Sequence, residues 1–405
     1  MEIHKIAIVS SSFSPHSGGV SSAHYNLYRL LKQQGYDVRV FTNADPDTSH
    51  HEDVVKQSSP AAIQRVFRLA LSLYFRWHND RLYHRQLHYI FLAAWASFFL
   101  RGPIRRFGPD ILIVPDVSAP LYFIGNIPRC KTVLFSHHNP MRFLNNPLIR
   151  LHSPLDAENA RSIEMKALRH VDRVICASGY MRDVFLETYV PFNPKQVSVI
   201  PIPVDEKFIR LIEKKSVTER LGLSEETLCV YIPSAGSDIK GSKYVFEIIR
   251  RLHAYAATRK REICFYLSGT IGEELRYELN QLSNTVKIFS PGKTRYEENL
   301  AYVKSCSFMI SPTLLDSFGM AQLESLLCGL PVVTFDVGGN REMMKNGENG
   351  FIIPYLSVEQ LISSAEQVCD PVLLETMRKN IQERPLLEFT SMAIIEQLIR
   401  EMEML

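Results

Sequence analysis

The sequence predicts an α/β fold built on parallel sheets. Short β-rich runs alternate with longer helical patterns along the chain, and this alternation is typical of repeated βαβ units. Most of the short runs are apolar without interruption, as expected of strands whose two faces are covered by helices. The chain has 405 residues, which exceeds the roughly 250–300 that one hydrophobic core holds, so we expect two domains.

The predicted elements fall into two groups on either side of residues 201–206, "PIPVDE", where two prolines interrupt any strand or helix. A helix over 21–34, with Leu27, Leu30 and Leu31 on one face, follows the first strand. The predicted strands cover 5–11, 36–42, 110–115, 132–136, 172–178, 197–201, 228–233, 263–269, 286–290, 308–312 and 331–335. We therefore expect Rossmann-like domains over 1–203 and 204–385, and a C-terminal helical segment over 386–405 that can pack back on the first domain.

Composition excludes several classes of protein. A formal net charge of +3, without a basic stripe or a zinc-finger spacing, argues against a nucleic-acid partner. Seven scattered cysteines without CxxC spacing indicate a reducing cytosol. The longest apolar run, 89–100, has 12 residues, whereas a membrane span needs about 20. No signal peptide is recognisable at the N-terminus. We expect a cytoplasmic protein, either free or attached to the inner face of the plasma membrane.

Two loops at predicted strand ends can bind an anion. Gly18 and Gly19 precede the first helix, where a close backbone approach and free helix amides favour a phosphate, although an ordinary tight turn has the same pattern. Their spacing is not GxGxxG and no acid follows the second strand, which argues against a nicotinamide cofactor. Lys240 enters a helix after the strand 228–233, where it can reach an anion or be solvated.

Two carboxylates mark the segment "DSFGMAQLESLLCGLPVV" at 316–333. Asp316 lies in a loop after a strand, and Glu324 lies on a predicted helix from about Met320 to Cys328, which Gly329 ends. Both side chains are expected at the carboxyl ends of the strands, where open α/β sheets bind ligands. A carboxylate there can accept hydrogen bonds from vicinal hydroxyls, each worth about 1.5–3 kcal/mol.

The same segment closely resembles the E-x7-E motif of glycosyltransferase family 4 (GT4), retaining enzymes of the GT-B fold. Six other stretches resemble the family in the family's order: "SPHSGGVSSAHYNLYRLLKQQGYDVRVFT", "TVLFSHHN", "EMKALRHVDRVICASGYMRDVF", "VSVIPIPVDEKF", "KGSKYVFEII" and "DVGGNREMMKNGENGFIIP". The resemblance implies two Rossmann-like domains with parallel sheets facing across a cleft. It also implies a UDP- or GDP-sugar donor and a glycan or lipid-linked acceptor, as in bacterial cell-surface polysaccharide or glycolipid synthesis.

The resemblance also implies residue roles. Glu324 would bind the ribose, Asp316 would touch the donor sugar and Lys240 would neutralise the leaving diphosphate. His137 would sit against the sugar near the reacting carbon, with His138 as the competing register. The remaining donor-binding positions would be Gly18, Gly19, Ser234, Phe318, Gly319 and Met320. Because the leaving phosphate itself is thought to help deprotonate the acceptor, the family needs no metal, no cofactor and no protein nucleophile.

Two departures from the family pattern leave other functions open. The family usually has glutamate at Asp316, and it has an arginine that grips the diphosphate where this chain has Ser234 and Ala235. A degenerate GT-B subunit that binds a nucleotide sugar or a partner without transfer is therefore the alternative. An epimerase acting on a free sugar nucleotide is a third reading, but it would need a further carboxylate pair that we do not find.

Two other segments invite an interpretation. "DPD" at 45–47 resembles the metal-binding DxD of a different transferase fold, and we interpret it, with His50 and His51, as a surface loop. Residues 61–106 contain eight arginines and one acid, Asp80. Arginines beside apolar anchors are typical of a helix on an anionic bilayer, and equally of a helix that packs on the sheet. The apolar stripe predicted there comprises Ile63, Val66, Phe67, Ala70, Leu71, Tyr74 and Phe75.

Overall fold

The structure is a computed structural model that describes residues 2–11, 13, 19–43, 52–80, 86–139, 141–144, 146, 148, 153–282, 285–384 and 386–405. Its contacts divide the chain into two compact units. Unit 1 comprises Met1–Val204 and Ser391–Leu405, and unit 2 comprises Asp205–Thr390. Each unit has its own parallel sheet and is described by itself.

Unit 1 is built on a seven-stranded sheet in the order β3-β2-β1-β4-β5-β6-β7, with every neighbouring pair parallel. Both faces of the sheet are apolar and buried, one under helices that include α3 and α7, the other under α1. The strands are β1 (Lys5–Ser10), β2 (Asp37–Thr42), β3 (Val54–Lys56), β4 (Ile111–Pro115), β5 (Lys131–Ser136), β6 (Arg173–Cys176) and β7 (Val197–Val199). The helices are α1 (Gly19–Gln33), α2 (Ala61–Trp77), α3 (Gln86–Phe107), α4 (Pro120–Ile124), α5 (Met141–Leu144), α6 (Pro154–Ala167) and α7 (Gly179–Thr188).

Unit 2 has a six-stranded sheet in the order β10-β9-β8-β11-β12-β13, again with parallel neighbours throughout. The strands are β8 (Leu228–Ile232), β9 (Ile263–Ser268), β10 (Lys287–Gly292), β11 (Phe308–Ser311), β12 (Val332–Phe335) and β13 (Gly350–Ile353). The helices are α8 (Glu206–Leu211), α9 (Val217–Arg220), α10 (Ser242–Thr258), α11 (Glu273–Asn280), α12 (Tyr296–Val303), α13 (Met320–Leu327), α14 (Asn340–Met343), α15 (Val358–Val368) and α16 (Pro371–Glu383).

The last helix, α17 (Ser391–Glu403), belongs to the core of unit 1. Its buried face carries Ile394, Ile395, Leu398 and Met402, which pack in the same cluster as the apolar face of α1. Glu401 ties the helix to the sheet, since it accepts a hydrogen bond from Ser198 at 2.9 Å. The chain therefore begins and ends in the same unit.

The predicted α/β class with two parallel sheets is confirmed, while two strands escaped prediction. β3 and β13 are short edge strands that lack a continuous apolar run. The first helix begins at Gly19, two residues before the predicted start. The strands at the opposite edges of the two sheets, β7 and β10, were predicted.

Each sheet has one topological switch point, where successive connections run to opposite sides. In unit 1 it lies between β1 and β4, and in unit 2 between β8 and β11. The loops that leave the carboxyl ends of such a strand pair diverge and open a crevice, which is where open α/β sheets bind ligands.

Candidate active site

Lys240 and Asp316 meet at the switch point of unit 2. Lys240 follows β8 and Asp316 follows β11, and the lysine Nζ donates a hydrogen bond of 2.6 Å to the aspartate Oδ2. The two side chains are only 28% and 14% exposed, so solvent screens this pair less than a surface ion pair. The structure thus brings together two residues that the sequence placed 76 positions apart.

Gly241 allows this approach. It has a φ of +81°, and a Cβ there would lie 2.1 Å from the backbone oxygen of Pro312, at the end of β11. Any side chain would force the two loops apart and move Lys240 away from Asp316. The contact of Lys240 with Asp316 therefore depends on the glycine that follows the lysine, because Gly241 lets its loop pass close to the end of β11.

The loop from Asp316 leads directly into the N-terminus of α13. Gly319 is the residue before the helix and has a φ of +103°, a conformation that disfavours any side chain. Met320 begins the helix, so the first amides of α13 have no acceptor within it and remain available for an anion. The side chain of Phe318 is fully buried against Phe389, so only its backbone can contribute to a ligand site.

Glu324 lies one turn into α13 and is half-buried. Its Oε1 accepts a hydrogen bond of 2.9 Å from the hydroxyl of Tyr296, at the start of α12. Burial raises the pKa of the Glu324 carboxyl to about 7, although the Tyr296 bond favours the carboxylate and opposes this rise. Tyr296 is a site residue that the sequence did not identify, because the pairing depends on contact between two helices.

The position of the family's missing arginine is a tight turn in this chain. Ser234 is exposed, has a φ of +48°, and donates its backbone N–H to Ser268 Oγ at 3.1 Å. It supplies a hydroxyl but no charge. Arg295 is exposed and directly precedes Tyr296, the residue that hydrogen-bonds Glu324, so it is a second cation for which a role on the diphosphate can be tested.

In unit 1, the loop that carries His137 is held by a buried carboxylate. Asp116, directly after β4, accepts backbone N–H bonds from His137, His138 and Asn139 at 3.0, 2.9 and 3.2 Å. It also accepts the Ser136 hydroxyl at 3.2 Å. Asp116 is therefore a positioning residue for the loop, and apart from its place at a strand end no sequence pattern identifies it.

The two candidate histidines differ in their surroundings. His137 is 5% exposed, and its ring stacks on that of Phe135 with the ring centroids 5.8 Å apart. Its Nε2 has no hydrogen-bond partner among the described residues. The His138 Nε2 lies 2.7 Å from the side-chain nitrogen of Gln86. Burial lowers the pKa of His137, Asp116 opposes this, and Arg142 reinforces it. His137 is thus the imidazole with an unused nitrogen.

Other predictions fall on or near undescribed positions. Gly18, "DPD" at 45–47 and His50 and His51 lie outside the described residues, while Gly19 begins α1. Within the described ranges, no three His, Cys, Asp or Glu side chains are grouped so as to hold a metal ion. In the same ranges, no helix combines the length and apolar character needed to cross a bilayer.

Helix α2 presents a second candidate surface. Leu71 and Phe75 of the predicted apolar stripe are buried, whereas Val66 and Ala70 are exposed, so the stripe is divided between a packed face and a face open to solvent. We call the exposed apolar face the outer stripe, which comprises Val66, Leu69, Leu73 and Trp77, exposed by 63%, 64%, 59% and 85%. The sequence did not identify the outer stripe, because α2 has apolar residues on both its buried and its exposed face and the pattern does not show which face is covered.

Arginines border the outer stripe. Arg65, Arg68 and Arg76 are exposed, and at 100° per residue they fall on one side of the stripe. The neighbouring helix α3 also has exposed aromatic rings, Tyr89, Phe98 and Phe99, but they lie on different sides of that helix. Arg81 and Arg85 lie outside the described residues. The outer stripe with its border of arginines has the character of surfaces that can serve as interaction sites.

Two sequence families match the chain. Residues 17–208 match the family described as Glycosyltransferase Family 4. Residues 217–384 match the family described as Glycosyl transferases group 1. The first match covers the region of His137 and α2, and the second covers Lys240, Asp316 and Glu324.

Curated relatives include sugar transferases. The chain is 25% identical over 226 residues to the UDP-Gal:alpha-D-GlcNAc-diphosphoundecaprenol alpha-1,3-galactosyltransferase of Escherichia coli, a match that covers 55% of this chain and 57% of that enzyme. It is 25% identical over 371 residues to the D-inositol 3-phosphate glycosyltransferase of Thermobifida fusca, a match that covers 86% of this chain and 81% of that enzyme. The chain spans about half the length of several curated relatives that it matches.

Solved structures share the fold. The Anabaena protein HepE, in a crystal structure with UDP and glucose, is similar with a TM-score of 0.71 at 18% identity. The similarity covers 99% of this chain and 100% of that one.

Proposed function

The chain belongs to glycosyltransferase family 4 and has the GT-B fold, and we propose that it is a retaining enzyme that moves a sugar from a UDP- or GDP-sugar to a glycan or lipid-linked acceptor. The observation that carries this proposal is the arrangement at the switch point of unit 2. Lys240 and Asp316 lie there after the strands β8 and β11. The loop from Asp316 leads into the first amides of α13, and Glu324 lies on the same helix.

The arrangement suits a nucleotide diphosphate sugar. The carboxylate of Glu324 has one oxygen bound by Tyr296, and its Oε2 has no partner among the described residues, so it can accept a ribose hydroxyl. Lys240 and the first amides of α13 offer positive charge to the diphosphate. Asp316 follows β11 on the same loop and can accept a hydroxyl of the sugar. In this proposal unit 2 is the nucleotide-sugar unit and unit 1 is the acceptor unit.

The proposed reaction uses charge stabilisation rather than a protein nucleophile. The bond between the anomeric carbon and the diphosphate breaks, the acceptor hydroxyl adds on the same face, and its proton passes to a leaving phosphate oxygen. Lys240 stabilises the negative charge that grows on the diphosphate. His137 contributes a neutral hydrogen-bonding nitrogen next to the sugar.

A binding screen combined with a transfer assay tests the function. We expect UDP or GDP, and their sugar derivatives, to raise the melting temperature, since a ligand at 100 times its Kd stabilises by about 2.7 kcal/mol. The named galactosyltransferase relative and the UDP-bound HepE make UDP-sugars the first donors to try. Binding without transfer to any acceptor and without donor hydrolysis would support the degenerate GT-B subunit instead. No binding to any nucleotide would overturn both.

Sugar transfer should continue in excess EDTA. Lys240 and the start of α13 can offset the diphosphate charge, so the proposed mechanism needs neither a metal ion nor a cofactor. Initial rates measured after EDTA treatment, and again after adding back magnesium or manganese, provide the comparison. Activity that disappears in EDTA and returns with either metal would contradict this prediction and direct attention to the DxD-like segment.

We further propose that unit 1 docks on the inner face of the plasma membrane through α2. The outer stripe can enter the headgroup region, while Arg65, Arg68 and Arg76 contact anionic lipids, each arginine contributing about 1 kcal/mol. A lipid-linked acceptor, like the diphosphoundecaprenol in the name of the Escherichia coli relative, would make such docking useful.

Cosedimentation with vesicles tests the docking. The protein should bind phosphatidylglycerol-containing vesicles at low salt, and either Trp77→Glu or the triple change of Arg65, Arg68 and Arg76 to glutamate should weaken binding by roughly tenfold or more. Tyr277→Glu, at a 69% exposed aromatic residue on α11, is the matched control and should bind as the unmodified protein does. Equal binding by all variants, or none at low salt, would leave α2 as an ordinary surface helix.

A further inference from the structure

A second buried imidazole lies beside His137 at the carboxyl edge of the unit 1 sheet. His24 is on the second turn of α1, after β1, and its ring contacts the His137 ring edge-on with centroids 5.4 Å apart. The two side chains are 1% and 5% exposed. The fold therefore encloses two histidines next to one another, close to the switch point between β1 and β4.

Both rings keep one nitrogen unused. The Nδ1 of His24 forms a hydrogen bond of 2.9 Å with the hydroxyl of Ser10, at the end of β1. The Nε2 atoms of His24 and of His137 are buried and have no hydrogen-bond partner among the described residues. A buried polar atom without a partner costs about 1–3 kcal/mol, so two such atoms in contacting rings need a reason.

Binding of an anion by charged imidazoles does not explain the two unpaired nitrogens. Burial lowers the pKa of His24 to about 3, and His137 acts in the same direction. The charged groups that act on His137 are Asp116 and Arg142, and its pKa is also lowered by burial. Both rings are therefore neutral near pH 7, and neither is a good partner for a phosphate or a carboxylate. A neutral imidazole offers one donor and one acceptor, which suits a hydroxyl group.

We propose that His24 is a second sugar-contacting residue, whose Nε2 hydrogen-bonds a hydroxyl of the transferred sugar beside the contact made by His137. This proposal rests on the proposed function and extends it, because the sequence resemblance implicates only the histidine after β5. The Ser10 bond fixes the orientation of the His24 ring, and the stacking on Phe135 fixes that of His137. Sugar binding would then satisfy two nitrogens that the free protein leaves unpaired.

Two amide substitutions separate this role from a structural one. In His24→Asn the amide can replace Nδ1 and keep the Ser10 bond, whereas in His24→Gln the amide nitrogen falls near the position of Nε2. We expect His24→Asn to lower kcat/KM by roughly 10- to 100-fold and His24→Gln to remain within about threefold of the unmodified enzyme. UDP without a sugar should bind all three proteins equally. The opposite order, with glutamine worse than asparagine, would mean that the Ser10 bond alone matters and would overturn the proposal.

A measurement on the unmodified protein covers the case in which a variant fails to fold. With 15N-labelled histidine, adding UDP-glucose should shift the His24 and His137 Nε2 resonances, and adding UDP alone should not. Resonances that respond equally to UDP and UDP-glucose, in a protein that binds both, would refute the sugar contact while leaving the proposed function intact. A protein that binds neither nucleotide nor sugar nucleotide would refute the proposed function as well.

Discussion

Glu324→Gln should remove most nucleotide binding and most sugar transfer while the fold is kept. The proposed ribose contact consists of charge-assisted hydrogen bonds worth about 1.5–3 kcal/mol each, so we expect affinity to fall by roughly 100-fold. Calorimetry with a sugar nucleotide gives the affinity. Glu274→Gln, at an exposed glutamate on α11, is the matched control and should change neither quantity. Unchanged affinity in Glu324→Gln would remove this residue from the site.

The raised pKa of Glu324 adds a pH dependence to this prediction. Because burial raises that pKa to about 7, the carboxylate is lost as the pH falls through 7. Affinity for a sugar nucleotide, whose diphosphate has no group that titrates near 7, should therefore decrease below pH 7 in the unmodified protein and stay level in Glu324→Gln. Tyr296→Phe removes the bond that favours the carboxylate, so its midpoint should move to higher pH.

Stability should change in the opposite sense to function. An acid whose folded-state pKa is raised destabilises the fold above that pKa, and the penalty is absent at pH values below its unfolded-state pKa. Glu324→Gln should therefore melt at a higher temperature than the unmodified protein at pH 8, and the difference should shrink as the pH falls towards 5. A lower melting temperature at pH 8 would show that the variant loses affinity through damage to the fold.

Lys240→Ala should lower turnover by about 100- to 1000-fold, the range seen when a preorganised group that stabilises transition-state charge is removed. The arginine expected at Ser234 is absent, so we expect Lys240 to be the main cation on the leaving diphosphate. Lys243→Ala, at an exposed lysine three residues further on, is the matched control and should leave turnover unchanged. A loss below about tenfold, or roughly 1.4 kcal/mol, would show that another cation dominates. Arg295→Ala then becomes the informative variant.

The ion pair with Asp316 separates binding from catalysis. Asp316→Asn removes a negative charge 2.6 Å from the Lys240 ammonium, so affinity for UDP should rise. Turnover should nevertheless fall, because the proposed sugar contact is weakened and the lysine loses the group that orients it. The double variant Lys240→Ala with Asp316→Asn should be more stable than Lys240→Ala alone, in which a half-buried carboxylate loses the compensating charge of Lys240. Additive effects in this cycle would indicate that the pair does not act as a unit.

The fold was predictable to the extent that burial imposes a pattern. Strands covered on both faces must be apolar throughout, and the central strands of both sheets were predicted for this reason. The strands β3 and β13 were missed, although β7 and β10 at the opposite edges were predicted, so an edge position does not by itself decide whether a strand is recognised. Two interpretations of the stripe on α2 stayed open because hydrophobic periodicity does not distinguish a face that packs on α3 from one that meets solvent.

The candidate site likewise contains residues that local sequence could place and partners that it could not. Residues such as Asp316, Gly319 and Glu324 share one short segment, so their spacing in the sequence was enough to place them at one strand end and one helix. The partners that give them their chemistry come from elsewhere in the chain. Tyr296 on α12 contacts Glu324, and His24 on α1 contacts His137. Neither contact can be predicted from a local sequence pattern.

The sequence by itself determined the α/β class and made Lys240, Asp316 and Glu324 candidates, because strand–helix order and positions at strand ends can be recognised along the chain. The resemblance of its motifs to GT4 added the family and His137. Only the tertiary structure decided that Lys240 is already bonded to Asp316 and that the Glu324 carboxyl has a pKa of about 7. It also decided that two imidazole nitrogens are buried without partners among the described residues. Charge pairing, desolvation and hydrogen-bond satisfaction depend on distances between segments far apart in sequence, and those distances exist only once the strands have assembled into sheets.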